Sequence, residues 1–288
     1  MALNIGIFGG DKRQVYMALT LLVKGYSVFT YKLYEQIDHN NHTALNSLEE
    51  LIKKCRVLIG PIPFTKDNII KISSDTQANS NGNTIVHFLN KEHILIGGVI
   101  PKDIRSSCEE KGIFYFDLMD SDKIAIMNAI ATAEGTIMEA IRSSNINLHN
   151  SNCLVLGYGR CGKVLASKLK GLDANVTVAA RNKDALAYAH AMGFSAVHLK
   201  DIKSFLPYFH FIFNTIPALI LDEDCLKNVS EDVVIIDIAS APGGVDFEYA
   251  INHGINAKLC LGIPGKIAPK TSADILVNEI EALIKEVI

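Results

Sequence analysis

The chain has 288 residues, 49% of them hydrophobic and 20% charged, which is enough for two domains of ordinary size. A formal net charge of −3 and no basic cluster beyond two or three residues argue against a nucleic-acid surface. No uninterrupted apolar run approaches the ~18 residues that span a bilayer. The cysteines Cys55, Cys108, Cys153, Cys161, Cys225 and Cys260 are scattered, with no C-x-x-C pair and no clustered His. That pattern reads as a reduced, cytoplasmic protein with neither a metal site nor a disulfide framework.

The opening "MALNIGIFGG" is apolar but lacks a basic n-region and a cleavage site, so it reads as a first strand rather than a signal peptide. An amphipathic stretch at 13–24 follows, and apolar runs recur at 26–31, 56–60, 94–100 and 113–117, with helical patterns between them. The polar segment 73–83 reads as a surface loop or a frayed helix end. A helical pattern then runs unbroken over 121–144. A second strand series follows it: "NCLVLG", "NVTVAA", "SAVHL", "HFIFNT", "DVVIIDIA" and "AKLCLG". The last pattern, 272–288, is amphipathic with Ser272 as N-cap. The expectation is an α/β protein with two Rossmann-like, doubly wound parallel-sheet lobes joined by hinge helices, with a cleft between them. Residues 1–120, joined by helix 272–288, form the substrate lobe. Residues 121–144 form the hinge helix, and 145–271 the dinucleotide-binding domain.

"LGYGRCGKVLA" places Gly157, Gly159 and Gly162 in G-x-G-x-x-G spacing between an apolar strand and a helix. The first glycine allows the tight turn, the second the approach of a pyrophosphate, and the third close helix–strand packing. Arg160 and Cys161 complete the helix start, whose free N–H groups favour phosphate. Cys161 reads as a small filler rather than a reactive thiol. The next strand ends in Ala180-Arg181-Asn182-Lys183, where an acid would accept the ribose hydroxyls of NAD. An arginine fork there, with Lys183 nearby, suits the 2′-phosphate of NADP.

Three further loops should border the nicotinamide. "NTIPA" brings Asn214, Thr215 and Pro217 near its ribose, and "ASAPGG" brings Ala239 and Ser240, with Gly243 and Gly244 allowing close approach of substrate. "GIPGKIAPKTS" carries Pro264, Lys266 and Lys270. Each of these stretches also has the composition of a plain turn. In "GIFGGDKRQVY", Lys12 and Arg13 follow the glycines at a helix start. A second nucleotide is open but the third glycine is missing; the helix start and Arg13 better suit a small carboxylate, or else a solvated first turn. On a helical wheel of the hinge, Met127, Ile130, Ile137, Met138 and Ile141 form an apolar stripe with Glu134 in its middle; Thr132 shares the other face with Asn128, Gly135 and Glu139. An acid among apolar neighbours is either a proton-transfer group with a raised pKa or half of an ion pair locking the hinge.

"GGDKRQ", "ATAEGT", "LGYGRCGKVLA", "NTIPA", "IDIASAPGGVDF" and "PGKIAPKTSADI" together resemble the A subunits of bacterial dipicolinate synthase, from the first strand to the last helix. The resemblance implies an oxidoreductase of spore formers that makes pyridine-2,6-dicarboxylate from a dihydrodipicolinate-type precursor. It also implies that the partner is a flavoprotein-like B subunit, with the mother-cell cytoplasm as location, and a homo-oligomer is open. A flat dianion would then be held by Lys12, Arg13 and Lys266, with Thr132, Gly243, Gly244 and Pro264 around it and Glu134 moving the proton. Two other readings stand beside this one. A D-2-hydroxyacid dehydrogenase would need a His and an Arg, which "ASAPGG" and "PGKIAP" lack. The other is a catalytically silent NADP-binding subunit.

Overall fold

In the computed structural model, residues 3–66, 69, 70 and 80–287 are described; most of the polar segment 73–83 lies outside them. The chain divides into two compact units, Met1–Ala125 with Ala268–Ile288, and Ile126–Ile267.

The first unit is built on Asn4–Phe8 (β1), Lys12–Val23 (α1), Ser27–Tyr31 (β2), His42–Ala44 (β3), Leu48–Lys54 (α2) and Val57–Ile59 (β4). Three two-residue strands, Thr65–Lys66 (β5), Ile69–Ile70 (β6) and Ser80–Asn81 (β7), form a small antiparallel sheet. Gly82–Phe88 (α3), Ile94–Gly97 (β8), Lys102–Glu110 (α4) and Phe114–Asp117 (β9) complete the series. The main sheet has the order β3-β2-β1-β4-β8-β9 and is parallel throughout. Its central strands are apolar apart from Asn4 at the start of β1, as expected where helices cover both faces. Ile5, Ile7, Met17 and Leu21 form one core, and Phe8, Leu51, Leu58 and Phe64 the other.

Pro269–Val287 (α11) closes the first core with Leu276, Val277 and Ile280, all fully buried. Each contributes about 1.5–3 kcal/mol. Thr20 donates to Asp274 at 2.9 Å, and Lys24 pairs with Glu281 at 2.6 Å, tying α11 to α1. This helix starts a turn earlier than expected. Pro269 occupies its first position, where a fixed φ and a missing N–H cost nothing. Ser272 is therefore a fully buried interior residue whose N–H donates to Ala268, not an N-cap.

The expected hinge pattern is the single helix Asp122–Arg142 (α5). It is long and apolar enough, by length and composition, to cross a membrane. Its apolar residues, however, serve the two cores: Ile124 enters the first unit, and Ala133, Ile137 and Ala140 enter the second. The predicted apolar stripe does not form the buried side: Met127, Ile130 and Ile141 are exposed, and the buried side is mostly alanine. Small residues win that side because the helix is approached closely: a Cβ on Gly135 would lie 2.3 Å from Ile263.

The second unit runs Asn152–Leu156 (β10), Arg160–Lys170 (α6), Asn175–Ala180 (β11), Lys183–Ala191 (α7), Ser195–His198 (β12), Phe211–Asn214 (β13), Glu223–Leu226 (α8), Val234–Asp237 (β14), Phe247–Asn252 (α9), Asn256–Leu259 (β15) and Ile263–Ile267 (α10). The sheet order β12-β11-β10-β13-β14-β15, all parallel, is that of the dinucleotide-binding fold. The order reverses at β10, so the ligand position lies beyond the carboxyl ends of β10 and its neighbours.

Candidate functional site

The glycine turn sits at that reversal. Gly157 leaves β10 with φ +94°, and a side chain there would meet Thr215 Oγ1 at 2.4 Å. Gly162 lies against the same turn, its missing Cβ 2.2 Å from the Gly157 carbonyl oxygen. Of the three, Gly159 alone faces open space, with nothing within 4 Å of a Cβ. It is also the N-cap of the eleven-residue α6, and no side chain caps that helix. That helix start therefore carries backbone N–H groups that no capping side chain occupies, beside the one glycine that leaves room for a ligand. The burial of Cys161 pushes its thiol pKa up, against a smaller lowering by Arg160; this describes packing rather than reactivity.

At the end of β11, Arg181 and Lys183 are exposed, and Arg181 has no ion pair among the described residues. No acid ends the strand, and Asp184 lies one turn position further on, behind Lys183 at the start of α7. Asn182 serves the fold as well as any ligand, because its Oδ1 caps α7 by accepting from Asp184 N at 2.7 Å and Ala185 N at 3.3 Å.

The loop after β13 departs from expectation. Asn214 is fully buried and cannot touch a ribose. Its Nδ2 donates to Asp237 Oδ1 at 3.0 Å and to the Ile216 carbonyl at 3.0 Å. Thr215 turns its hydroxyl back to the Leu156 carbonyl at 2.8 Å, which braces the glycine turn. Pro217 and Ser240 are exposed on their loops, whereas Ala239 is buried. Gly243 and Gly244 are buried too. A Cβ on Gly243 would lie 2.6 Å from Asp237 Oδ2, and one on Gly244 2.5 Å from the Ala218 carbonyl. These two glycines make room for protein atoms, not for substrate.

Glu134 requires the largest correction. It is exposed and pairs with Lys168 Nζ at 2.9 Å, so the low-polarity setting that suggested proton transfer does not exist. Thr132 donates back to the Asn128 carbonyl at 2.9 Å, within its own helix. Lys266 is exposed on α10 and lines a hollow of about 190 Å3 with Gly135, Glu139 and Cys260, beyond the end of β15. Pro264 is half-buried on the same short helix, and Lys270 is exposed in the first turn of α11. A larger hollow of about 440 Å3 lies at the opposite, amino ends of β10 and β11. Its Lys170 is spent on the Met192 and Gly193 carbonyls, and the fold places ligands at the other edge.

In the first unit, Lys12 pairs with Glu35 at 3.5 Å. The helix start is expected to hold a carboxylate, and the chain supplies one itself. Asp11 Oδ1 accepts from Arg13 N at 2.9 Å, and Gln14 Oε1 accepts from Asp11 N at 2.9 Å, a capping box. The buried guanidinium of Arg13 grips Asp11 through Nε at 3.0 Å and Nη2 at 2.8 Å, and also donates to the Ile62 carbonyl. That fork is occupied.

Asp237, inside "IDIASAPGGVDF" but not among the predicted site residues, is fully buried and accepts from Asn214 Nδ2, Ala239 N and Gly244 N. The signal is present in the sequence: an acid ending an otherwise apolar strand run, "VVIID".

Residues 4–119 match the family model for the N-terminal domain of the dipicolinate synthase A subunit. Residues 123–247 match that for the D-isomer specific 2-hydroxyacid dehydrogenase, NAD binding domain. The chain is 34% identical to the A subunit of dipicolinate synthase from Bacillus subtilis (strain 168), over 99% of this chain and 97% of that one. The crystal structure of the A subunit of dipicolinate synthase from Bacillus halodurans is similar with a TM-score of 0.88 and 31% identity, covering 98% of this chain and 97% of that one. The crystal structure of the corresponding Bacillus subtilis protein gives a TM-score of 0.88 and 30% identity, over 99% and 97%.

Proposed function

The chain belongs to the family of dipicolinate synthase A subunits and carries a nicotinamide-dinucleotide domain of the dehydrogenase type, and from that premise we propose that it oxidises a dihydrodipicolinate-type precursor to dipicolinate with NADP. The observation that carries the reading is the pairing of an uncapped α6 start at Gly159 with an exposed Arg181 where an acid would select NAD. The fit is physical. Gly159 leaves the space a diphosphate needs, the uncapped start of α6 would offer it backbone hydrogen bonds, and Arg181 with Lys183 would offer the 2′-phosphate charge-assisted ones.

When bound, NADP supplies the acceptor for a hydride from a ring carbon of the precursor, while a proton leaves a neighbouring position and the ring becomes aromatic. The chain's own part is binding and orientation. The N–H groups of Arg160, Cys161 and Gly162 would hold the diphosphate, and Thr215 braces the turn beneath them through the Leu156 carbonyl. Lys266 supports an anionic substrate group as a point charge. By the same resemblance, the enzyme works in the mother-cell cytoplasm of a sporulating bacterium beside a flavoprotein-like B subunit.

The test is turnover. The purified chain, alone and with its B-type partner, is fed precursor and NADP while the ultraviolet absorbance of dipicolinate and of NADPH is followed. Both signals should rise together. NADP binding without turnover in either mixture would instead favour a silent dinucleotide-binding subunit.

A further inference from the structure

We infer that Asp237 is a positioning residue for the nicotinamide side of this site, a role that rests on the dinucleotide reading above. Asp237 and Asn214 are the last residues of adjacent strands and stand directly paired in register. Both are fully buried at the carboxyl edge of the sheet. A buried carboxylate is costly unless it is hydrogen-bonded, and every bond this one accepts serves the two loops that leave those strands. Oδ1 takes Asn214 Nδ2 at 3.0 Å and Ala239 N at 2.9 Å; Oδ2 takes Gly244 N at 2.6 Å. Asn214 passes the constraint on, accepting from Ile216 N at 3.1 Å and donating to the Ile216 carbonyl at 3.0 Å.

The loops also bind each other. The Gly244 carbonyl accepts from Ile220 N and Leu221 N, each at 2.9 Å. Gly243, at φ +89°, lets the second loop fold onto the carboxylate, where a methyl group would meet Oδ2 at 2.6 Å. A core needing only stability is served as well by apolar residues. An acid ringed by loop N–H groups fixes a shape instead, and these loops follow the strands of the second mononucleotide half, where the nicotinamide end lies.

The test separates the two ends of the cofactor. In Asp237→Asn, one acceptor becomes a donor facing a backbone N–H with nothing to receive it. Affinity for NADP should fall about tenfold, while affinity for 2′,5′-ADP, which carries only the adenosine half, stays within about twofold of wild type. Gly243→Ala, which strains the same contact from the loop side, should reproduce that split if the first variant folds poorly. Equal losses for both ligands would reduce Asp237 to a general structural residue and overturn the inference, as would no loss for either. A wild-type protein that binds neither ligand would overturn the dinucleotide reading itself, and the inference with it.

Discussion

Each unit sends its first strand through a glycine turn into a helix, in sheets of the same strand order, yet the two helix starts are treated oppositely. In the first unit, Asp11 and Gln14 satisfy the start of α1 and Arg13 locks the acid in place. In the second, Gly159 leaves the start of α6 without a side-chain cap and with clear space in front of it. One fold thus yields one helix terminus closed by its own carboxylate and one open to a ligand's phosphate. The residue at the cap position decides between them, because a side-chain carboxylate and a diphosphate compete for the same N–H groups.

The difference can be broken most severely at Gly162. Gly162→Val drives a side chain into the Gly157 carbonyl and should cost roughly a hundredfold in NADP affinity by calorimetry; unchanged affinity would show that the turn is no phosphate seat. Arg181→Asp should weaken NADP by roughly tenfold to a hundredfold and spare NAD. Equal effects on both dinucleotides would mean that the 2′-phosphate is read elsewhere. Gly159→Asp converts the open start into the closed kind. NADP should bind about tenfold more weakly, while the protein gains a few tenths of a kcal/mol in a denaturant titration. The reverse experiment, Asp11→Ala, removes the cap and also the carboxylate that the buried Arg13 grips, so it should cost about 2–4 kcal/mol of stability and leave NADP affinity intact.

The smallest effect concerns Cys161 in the first turn of α6. A helix start ordinarily lowers a thiol pKa, but here burial raises it. Alkylation near neutral pH should therefore be slower than for a free cysteine and should accelerate as pH climbs. Fast modification at neutral pH would show that the open terminus dominates over burial.

Long apolar strands and the glycine turn are legible because their patterns are local: buried parallel strands run apolar, and G-x-G-x-x-G needs only its spacing. The three-residue edge strand His42–Ala44 and the two-residue strands of the small sheet carry no such pattern. The wheel for α5 fails because it ranks residues by size of apolar side chain, whereas a close helix approach at Gly135 selects alanine. Glu134 is misplaced with it. Arg13 and Asn214 stand out by residue type and position but point to the wrong partners, since nothing in the sequence shows that Asp11 and Asp237 already engage them. Their bonds arise from turns and strand register that only the folded chain defines.

The dinucleotide that the open terminus accepts decides the function. Calorimetric titration of the wild-type protein with NADP and with NAD, at one ionic strength, measures this directly. One site per chain with NADP, bound about tenfold or more tightly than NAD, is the predicted result. NAD bound as tightly as NADP, or more tightly, would contradict it.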